Sequence, residues 1–320
     1  MPLQLTRQQA VAHHLSVNHL STRLPAGSYA EAARYGLQDT APRDALVALH
    51  ARVEACEPSA WEHPDLTQTY SPRAAVYVLP RADFGVFTVG RLPLDPEALK
   101  YWETAADTIC RDLAGTEGRS GAPDLRGACA TGRIALRWTT SALYFREVPR
   151  PEIDFMAAHR ALCRLHVEAF GPTTPAAFAW WSGLSPKDAR EVWGQLELLE
   201  VALDGHRAWI LPEAEQAVRN PPEPTGARFL PTPDLRLLGQ DRHGLFVGPG
   251  GSKHLPLYDT FHPNGLLVDG QLVGMWGRRG GRLHLKHLGR PTAATRATIE
   301  TEALTMPIPG ATPTLEIAQH

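Results

Sequence analysis

Residues 173–211 read TTPAAFAWWSGLSPKDAREVWGQLELLEVALDGHRAWIL, and the punctuation of this stretch decides the fold. Thr173 and Thr174 offer an N-cap, and Pro175 stands at a first helical position, where its missing N–H costs nothing. Ala176 to Trp181 make a short helix that stops at Ser182 and Gly183. Ser185 caps again, Pro186 restarts the helix, and Asp188 lies in the first turn, where the helix dipole favours an anion. Ala189, Val192, Trp193 and Leu196 follow at the i, i+3, i+4, i+7 spacing of one buried helical face. Two short helices joined by a glycine turn form a helix-turn-helix. Leu199, Val201 and Leu203 then alternate with their neighbours, Asp204-Gly205 supplies a tight hairpin turn, and Ala208 to Leu211 return. A helix-turn-helix closed by a β-hairpin is a winged helix.

Upstream the same plan recurs less cleanly. Thr6 to Leu20 is an amphipathic helix, Ser28 caps a second helix to about Tyr35, and Pro42 to Val53 form a third. Ala75–Leu79 and Gly85–Val89 read as strands around Pro80-Arg81-Ala82-Asp83, a candidate wing. Helices at 96–113 and 122–130 precede strands at Ile134–Trp138 and Ala142–Phe145. Downstream, Pro221-Pro222-Glu223-Pro224 is a linker. Strands follow at Leu245–Val247, Gly265–Val268, Leu272–Trp276 and Leu283–Leu288, then a proline-interrupted tail. The expected fold class is therefore α+β: tandem winged-helix units followed by a mainly β C-terminal segment. The expected units are a winged helix at 1–94, a winged-helix-like unit at 95–150, a third winged helix at 151–220, and a β-rich segment with its tail at 221–320.

A hydrophobic content of 43% with 21% charged residues predicts a globular core. Thr6, Arg7, Gln8, Gln9, His13 and His14 interrupt any apolar run near the N-terminus, so no signal peptide is expected, and no stretch is long enough to predict a membrane span. Cys56, Cys110, Cys129 and Cys163 are widely spaced, which fits reduced, buried thiols and a cytoplasmic location. The net charge of -2 conceals segregation. Residues 119–150 sum to +4 and residues 219–296 to +6, whereas 61–118 and 151–218 sum to -4 and -5. Such segregation suits a surface that faces a polyanion. Walker, nucleophile-elbow, zinc-protease and dinucleotide fingerprints are all absent. Gly248-Pro249-Gly250-Gly251 precedes no helix and reads as a hairpin tip. His159 and His166, seven residues apart without a carboxylate at ligand spacing, read as core residues, and no metal site is expected.

Three segments together resemble the AlkZ/YcaQ-type family of bacterial DNA glycosylases. The first is Ala169-Phe170-Gly171-Pro172-Thr173-Thr174-Pro175 with Trp180-Trp181-Ser182-Gly183-Leu184. The second is Phe229-Leu230-Pro231 with Leu237-Leu238-Gly239-Gln240-Asp241-Arg242. The third is Phe261-His262-Pro263-Asn264-Gly265, Val268-Asp269-Gly270-Gln271 and Val273-Gly274-Met275-Trp276. The likeness runs from about residue 5 to 290. It implies a monofunctional enzyme that hydrolyses the N-glycosidic bond of bulky N7-alkylated purines and unhooks interstrand crosslinks. It also implies double-stranded DNA carrying alkylated bases as the partner, a monomer, and no metal or organic cofactor.

The family carries its catalytic residues as Gln-apolar-Gln or Gln-apolar-Asp, ahead of a proline-containing helix start and an Ala-Arg pair. The matching stretch here is Leu37-Gln38-Asp39-Thr40-Ala41-Pro42, with Ala51-Arg52 downstream. Gln38 falls on the first catalytic position, Thr40 stands where Gln or Asp is expected, and Asp39 fills the apolar slot. The resemblance thus implies Gln38, Asp39 and Thr40 as the catalytic group. Two arrangements are open: Gln38 and Thr40 position a water alone, or Asp39 takes the carboxylate role. Asp39 and Thr40 equally suit a helix cap before Pro42. A DNA-binding protein without catalysis, or a protein-interaction module, also remains compatible with the pattern. The expected DNA contacts are Arg133 and Arg137, which share one face of a strand, Lys187 and Arg190 on the second helix of the central motif, Lys253 in the hairpin-like stretch His243–His254, and Arg278, Arg279 and Arg282.

Overall fold

The computed structural model describes residues 2–40, 43–119, 121–234 and 264–318. The chain divides into two compact units: residues 1–4, 33–43 and 62–215 in the first, and 5–32, 44–61 and 216–320 in the second. The fold is α+β, as the sequence leads one to expect.

The first unit contains most of β1 (Leu3–Leu5) and all of β2 (Leu37–Gln38), β3 (Leu66–Tyr70), β4 (Val76–Pro80), β5 (Glu117–Arg119), β6 (Ile134–Trp138), β7 (Leu143–Glu147), β8 (Leu199–Leu203) and β9 (His206–Ile210). Six of these form one antiparallel sheet in the order β2-β4-β3-β6-β7-β5, and β1-β8-β9 form a second. One face of the larger sheet, with Val76, Ile134, Leu136 and Phe145, packs on Ala106, Ile109 and Leu113 of the helix Pro96–Leu113. That helix begins where it does because Asp95 caps the Ala98 N–H at 2.9 Å and Pro96 opens the first turn.

The central motif forms as read. Helices Pro175–Ser182 and Pro186–Trp193 are capped by Thr174 and Ser185, whose hydroxyls accept from Ala177 N at 3.2 Å and Asp188 N at 3.1 Å. Gly183 makes the turn at φ +80, a conformation that a Cβ would strain. Phe178, Trp181, Ala189 and Val192 are fully buried, so truncating Trp181 to alanine is worth about 3–5 kcal/mol. The hairpin β8–β9 turns on Asp204 and Gly205, both at positive φ, the geometry whose twist matches a two-residue connection.

One expectation fails. Gly85–Val89 is not a strand but part of a helix, Phe84–Val89, and Pro80–Asp83 is not a wing: Arg81–Asp83 is a single 3-10 turn. A run of five largely apolar residues does not by itself separate strand from helix. Packing decides it: a Cβ on Gly90, just past the helix, would stand 2.6 Å from the Ala158 carbonyl oxygen of the helix Phe155–Phe170. β4 pairs instead with β2 and β3.

The second unit is built on β10 (Ala227–Leu230), β11 (Asn264–Val268), β12 (Gln271–Arg279), β13 (Arg282–His287) and β14 (Thr314–Ala318), in that order, antiparallel except for the β13–β14 pair. The tail is ordered rather than merely proline-interrupted: its helix Ala293–Leu304 buries Ile299 and Ala303 against Phe229, Trp276 and Leu285. Trp276 Nε1 donates to the carbonyls of Leu230 at 3.1 Å and Gly265 at 3.0 Å, tying the sheet's first strands together. The helix Arg7–Val17 starts with a capping box between Thr6 and Gln9. Arg52 and Asp234, both buried, form an ion pair at 2.6 Å. The expected strand Leu245–Val247, the hairpin-like stretch 243–254 and Lys253 lie outside the described residues. No helix among the described residues is long and apolar enough to cross a membrane.

Candidate active site

Gln38 closes β2 in register with Tyr77 on β4. The Tyr77 hydroxyl donates to Gln38 Oε1 at 3.4 Å, and Gln38 Nε2 donates to Thr40 Oγ1. The Gln38 amide is thereby held at both ends, which fixes which end is oxygen and which is nitrogen. Gln38 is buried, whereas Thr40 is exposed. The Thr40 hydroxyl spends one lone pair on Gln38, and among the described residues its proton and second lone pair have no partner, which leaves them for solvent or ligand.

Asp39 is 1% exposed, and its backbone N–H bonds Val76 O at 2.7 Å, extending the β2–β4 pairing by one residue. Its carboxylate belongs to an ionic group drawn from distant parts of the sequence. Arg43 Nη1 donates to the Trp138 carbonyl at 3.4 Å. Burial lowers the Arg43 pKa, while the charges of Asp39 and Glu62 raise it and that of Arg137 lowers it. Arg137 Nε donates to Glu62 at 2.8 Å. Two carboxylates and two guanidinia therefore act on one another beside the triplet, two charges of each sign. Arg43 adopts φ +89, a left-handed value that carries strain in a residue with a Cβ.

A further polar group lies in the same sheet. Gln68 on β3 accepts the Trp138 N–H at its Oε1, at 2.5 Å, while its Nε2 is buried without a hydrogen-bond partner among the described residues. Gln68 pairs with Leu136 between β3 and β6, and its side chain adds to a link that the Thr69 hydroxyl also makes by donating to the Ile134 carbonyl at 3.3 Å.

Of the basic residues singled out from the sequence, the fold brings Arg137 into electrostatic reach of Arg43, the neighbour of Asp39. Arg133 shares the face of β6 with Arg137 but is engaged by Asp107 and, at 3.7 Å, by Glu147. Lys187 and Arg190 are exposed on the helix Pro186–Trp193. Arg278, Arg279 and Arg282 are exposed at the β12–β13 turn of the second unit, where Arg278 Nη1 donates to Gly280 O at 2.8 Å. Arg43, Glu62 and Tyr77 escaped the sequence reading. Tyr77 had a signal, since it is the one polar-tipped residue in the run Val76–Leu79. Arg43 and Glu62 had none, because only the fold makes them neighbours.

Among the described residues, no group of three or more His, Cys, Asp or Glu side chains is placed to hold a metal ion. The four cysteines are buried free thiols. Burial pushes Cys56 up to about 12 and Cys129 up to about 11. Thiolate chemistry is correspondingly disfavoured.

The solved structure of Streptomyces sahachiroi DNA glycosylase AlkZ has the same fold, with a TM-score of 0.75 over 99% of this chain and 100% of that one, at 16% sequence identity. No curated protein sequence matches the chain. The family model described as DNA glycosylase AlkZ-like matches residues 126–306, more than half of the sequence. The chain belongs to the AlkZ-like family of DNA glycosylases.

Proposed function

We propose that this glycosylase hydrolyses the N-glycosidic bond of bulky N7-alkylated purines in duplex DNA, interstrand crosslinks included, as a monomer and with Gln38, Asp39 and Thr40 as its catalytic group. Alkylation at N7 makes the purine cationic, so the base already leaves readily. What the protein must supply is stabilisation of an oxocarbenium-like sugar and a placed water.

The observation that carries this reading is the Gln38 amide, fixed between Tyr77 and Thr40, beside an exposed Thr40 hydroxyl. An oriented amide–hydroxyl pair aligns a water for attack without acting as a strong base. Asp39 is nearly inaccessible to solvent, so its carboxylate offsets the developing positive charge through its field rather than by contact with the water. This favours the arrangement in which Gln38 and Thr40 position the nucleophile. Arg43 and Asp39 feel each other's charge. Lys187, Arg190, Arg278, Arg279 and Arg282 are assigned to DNA phosphates, with smaller contributions from Arg133 and Arg137, whose charges are paired.

The test is single-turnover excision on a duplex carrying one N7-alkylguanine, read as alkali-labile abasic sites. Gln38→Ala is expected to slow excision about 10²-fold, Asp39→Asn by a similar factor, and Thr40→Val about tenfold. Duplex binding and melting temperature should stay near wild type for Gln38→Ala and Thr40→Val. A wild-type protein that binds this duplex yet leaves no abasic sites would sink the substrate assignment. Undiminished excision by Gln38→Ala would remove the triplet from the mechanism.

A further inference from the structure

In the second unit, two arginines lie in the field of one carboxylate, and only one of them is paired with it. Arg23 donates from Nε to the His50 carbonyl at 3.0 Å and from Nη2 to Glu302. Arg228 donates from Nη1 to its neighbour's carbonyl, Ala227 O, at 2.7 Å, and from Nη2 to Ser21 O at 3.3 Å. Among the described residues it has no carboxylate within ion-pair distance. Its guanidinium feels both Arg23 and Glu302, so the groups form one electrostatic cluster.

His50 does not change the balance. Thr305 spends its hydroxyl proton on Glu302 O at 2.8 Å, so its oxygen accepts from His50 Nε2 at 2.9 Å. Burial first, and then the two arginines, push His50 down to about 3, and it is neutral. One positive charge is therefore left over in a largely buried setting.

Two donors there have no hydrogen-bond partner among the described residues: Arg228 Nε and the hydroxyl of Ser21, the residue whose carbonyl orients Arg228. Ser21 is 6% exposed. An unpaired buried charge and an unused buried donor are each costly, and native proteins leave few of them. A bound oxyanion supplies both missing partners at once. Guanidinium forks match phosphate geometry, and a hydroxyl adds a third donor.

We propose that Arg23, Arg228 and the Ser21 hydroxyl form a site for a phosphate group, distinct from the catalytic triplet and from the β12–β13 turn. The phosphate comes either from a DNA phosphodiester or from free inorganic phosphate, and two measurements on the full chain separate the sources. The first is anisotropy on an undamaged duplex across a potassium chloride series, which is independent of whether the triplet cleaves. Arg228→Gln is expected to weaken binding about tenfold and to shallow the salt slope by about one, with Arg228→Lys losing less. The second is thermal melting in inorganic phosphate against chloride at equal ionic strength. Phosphate should raise the melting temperature of wild type and not of Arg228→Gln.

A phosphate-dependent rise together with an unchanged DNA salt slope in Arg228→Gln assigns the site to free phosphate and removes the strand contact. No phosphate-dependent rise together with an unchanged slope overturns the site altogether, leaving Arg228 a strut between backbone carbonyls. If Arg228→Gln does not fold, Ser21→Ala carries both readings. It should lose the phosphate effect and bind duplex about threefold more weakly, and wild-type behaviour in both measurements overturns the proposal.

Discussion

Two stretches of this chain carry an excess of positive charge, and the fold treats their arginines differently. In residues 119–150, Arg133 is engaged by Asp107 and Glu147, Arg137 by Glu62, and Arg150 by Glu103 at 2.8 Å. Glu62, Glu103 and Asp107 all come from the acidic segment 61–118, so three of the six arginines in this stretch are paired with carboxylates that the charge profile assigns to an opposed region. In residues 219–296, by contrast, Arg278, Arg279 and Arg282 crowd one exposed hairpin turn with no ion pair among the described residues. Exposed pairs contribute only about 0–1 kcal/mol to stability, yet each cancels a charge that would act on a polyanion. Arginine count in a segment therefore says little about its capacity for phosphate until the location of the acids is known.

The sharpest way to break this contrast is to remove the three unpaired arginines together. Arg278→Gln, Arg279→Gln and Arg282→Gln in one chain should weaken binding to undamaged duplex about 10²-fold at moderate salt and reduce the salt slope by nearly three. Melting temperature should hardly change, because these side chains support no packing. The matched double variant Arg133→Gln with Arg137→Gln should cost less than about fivefold. Equal losses in the two variants would erase the distinction between the stretches.

How much of this was legible beforehand depends on the range of the interactions. The segment 173–211 was readable because its caps, its glycine turn and its hairpin are settled within a few residues of one another. Gly85–Val89 reads ambiguously because a short, largely apolar run suits strand and helix alike, and the distant helix it packs against, through Val89 and Ala158, is visible only in the fold. The triplet could be located only through its likeness to a family pattern. Its surroundings were invisible: Tyr77, Glu62 and Trp138 meet Gln38 or Arg43 only after four strands have found their order, and sheet order is not written in local periodicity. The interleaving of segments 5–32 and 44–61 with the C-terminal sheet is hidden for the same reason.

A second, smaller effect concerns the positive excess in the second unit. His13 and His50 are both buried there, and burial lowers them to about 4 and about 3. For a histidine held neutral in the fold, the unfolded chain gains a proton as pH falls below about 6.5 while the folded chain does not. Their contribution to stability is therefore full above that pH and declines between about 6.5 and 4, with a slope approaching ~1.4 kcal/mol per pH unit for each group. Urea unfolding at pH 7.5 and pH 5 reads the decline, and His50→Gln should flatten it. An unchanged slope in that variant would mean that His50 takes up its proton as readily in the folded chain as in the unfolded one.

The smallest effect is the most discriminating, because it predicts a gain. If pairing with carboxylates is what silences the first stretch, deleting a carboxylate should restore a phosphate contact. Asp107→Asn frees Arg133 only in part, since Glu147 remains 3.7 Å away. Glu62→Gln leaves Arg137 with no ion-pair partner among the described residues. Glu62→Gln should therefore strengthen undamaged-duplex binding by about threefold and steepen the salt slope by nearly one, and Asp107→Asn should do so by less, with stability changes under about 1 kcal/mol in either case. The order of the two gains matters more than their size. Proximity to DNA alone gives no reason for the variants to differ in this direction, whereas residual pairing with Glu147 requires it. A loss of affinity in Glu62→Gln would instead show that Arg137 depends on Glu62 for its orientation, so that the ion pair builds the contact rather than masking it.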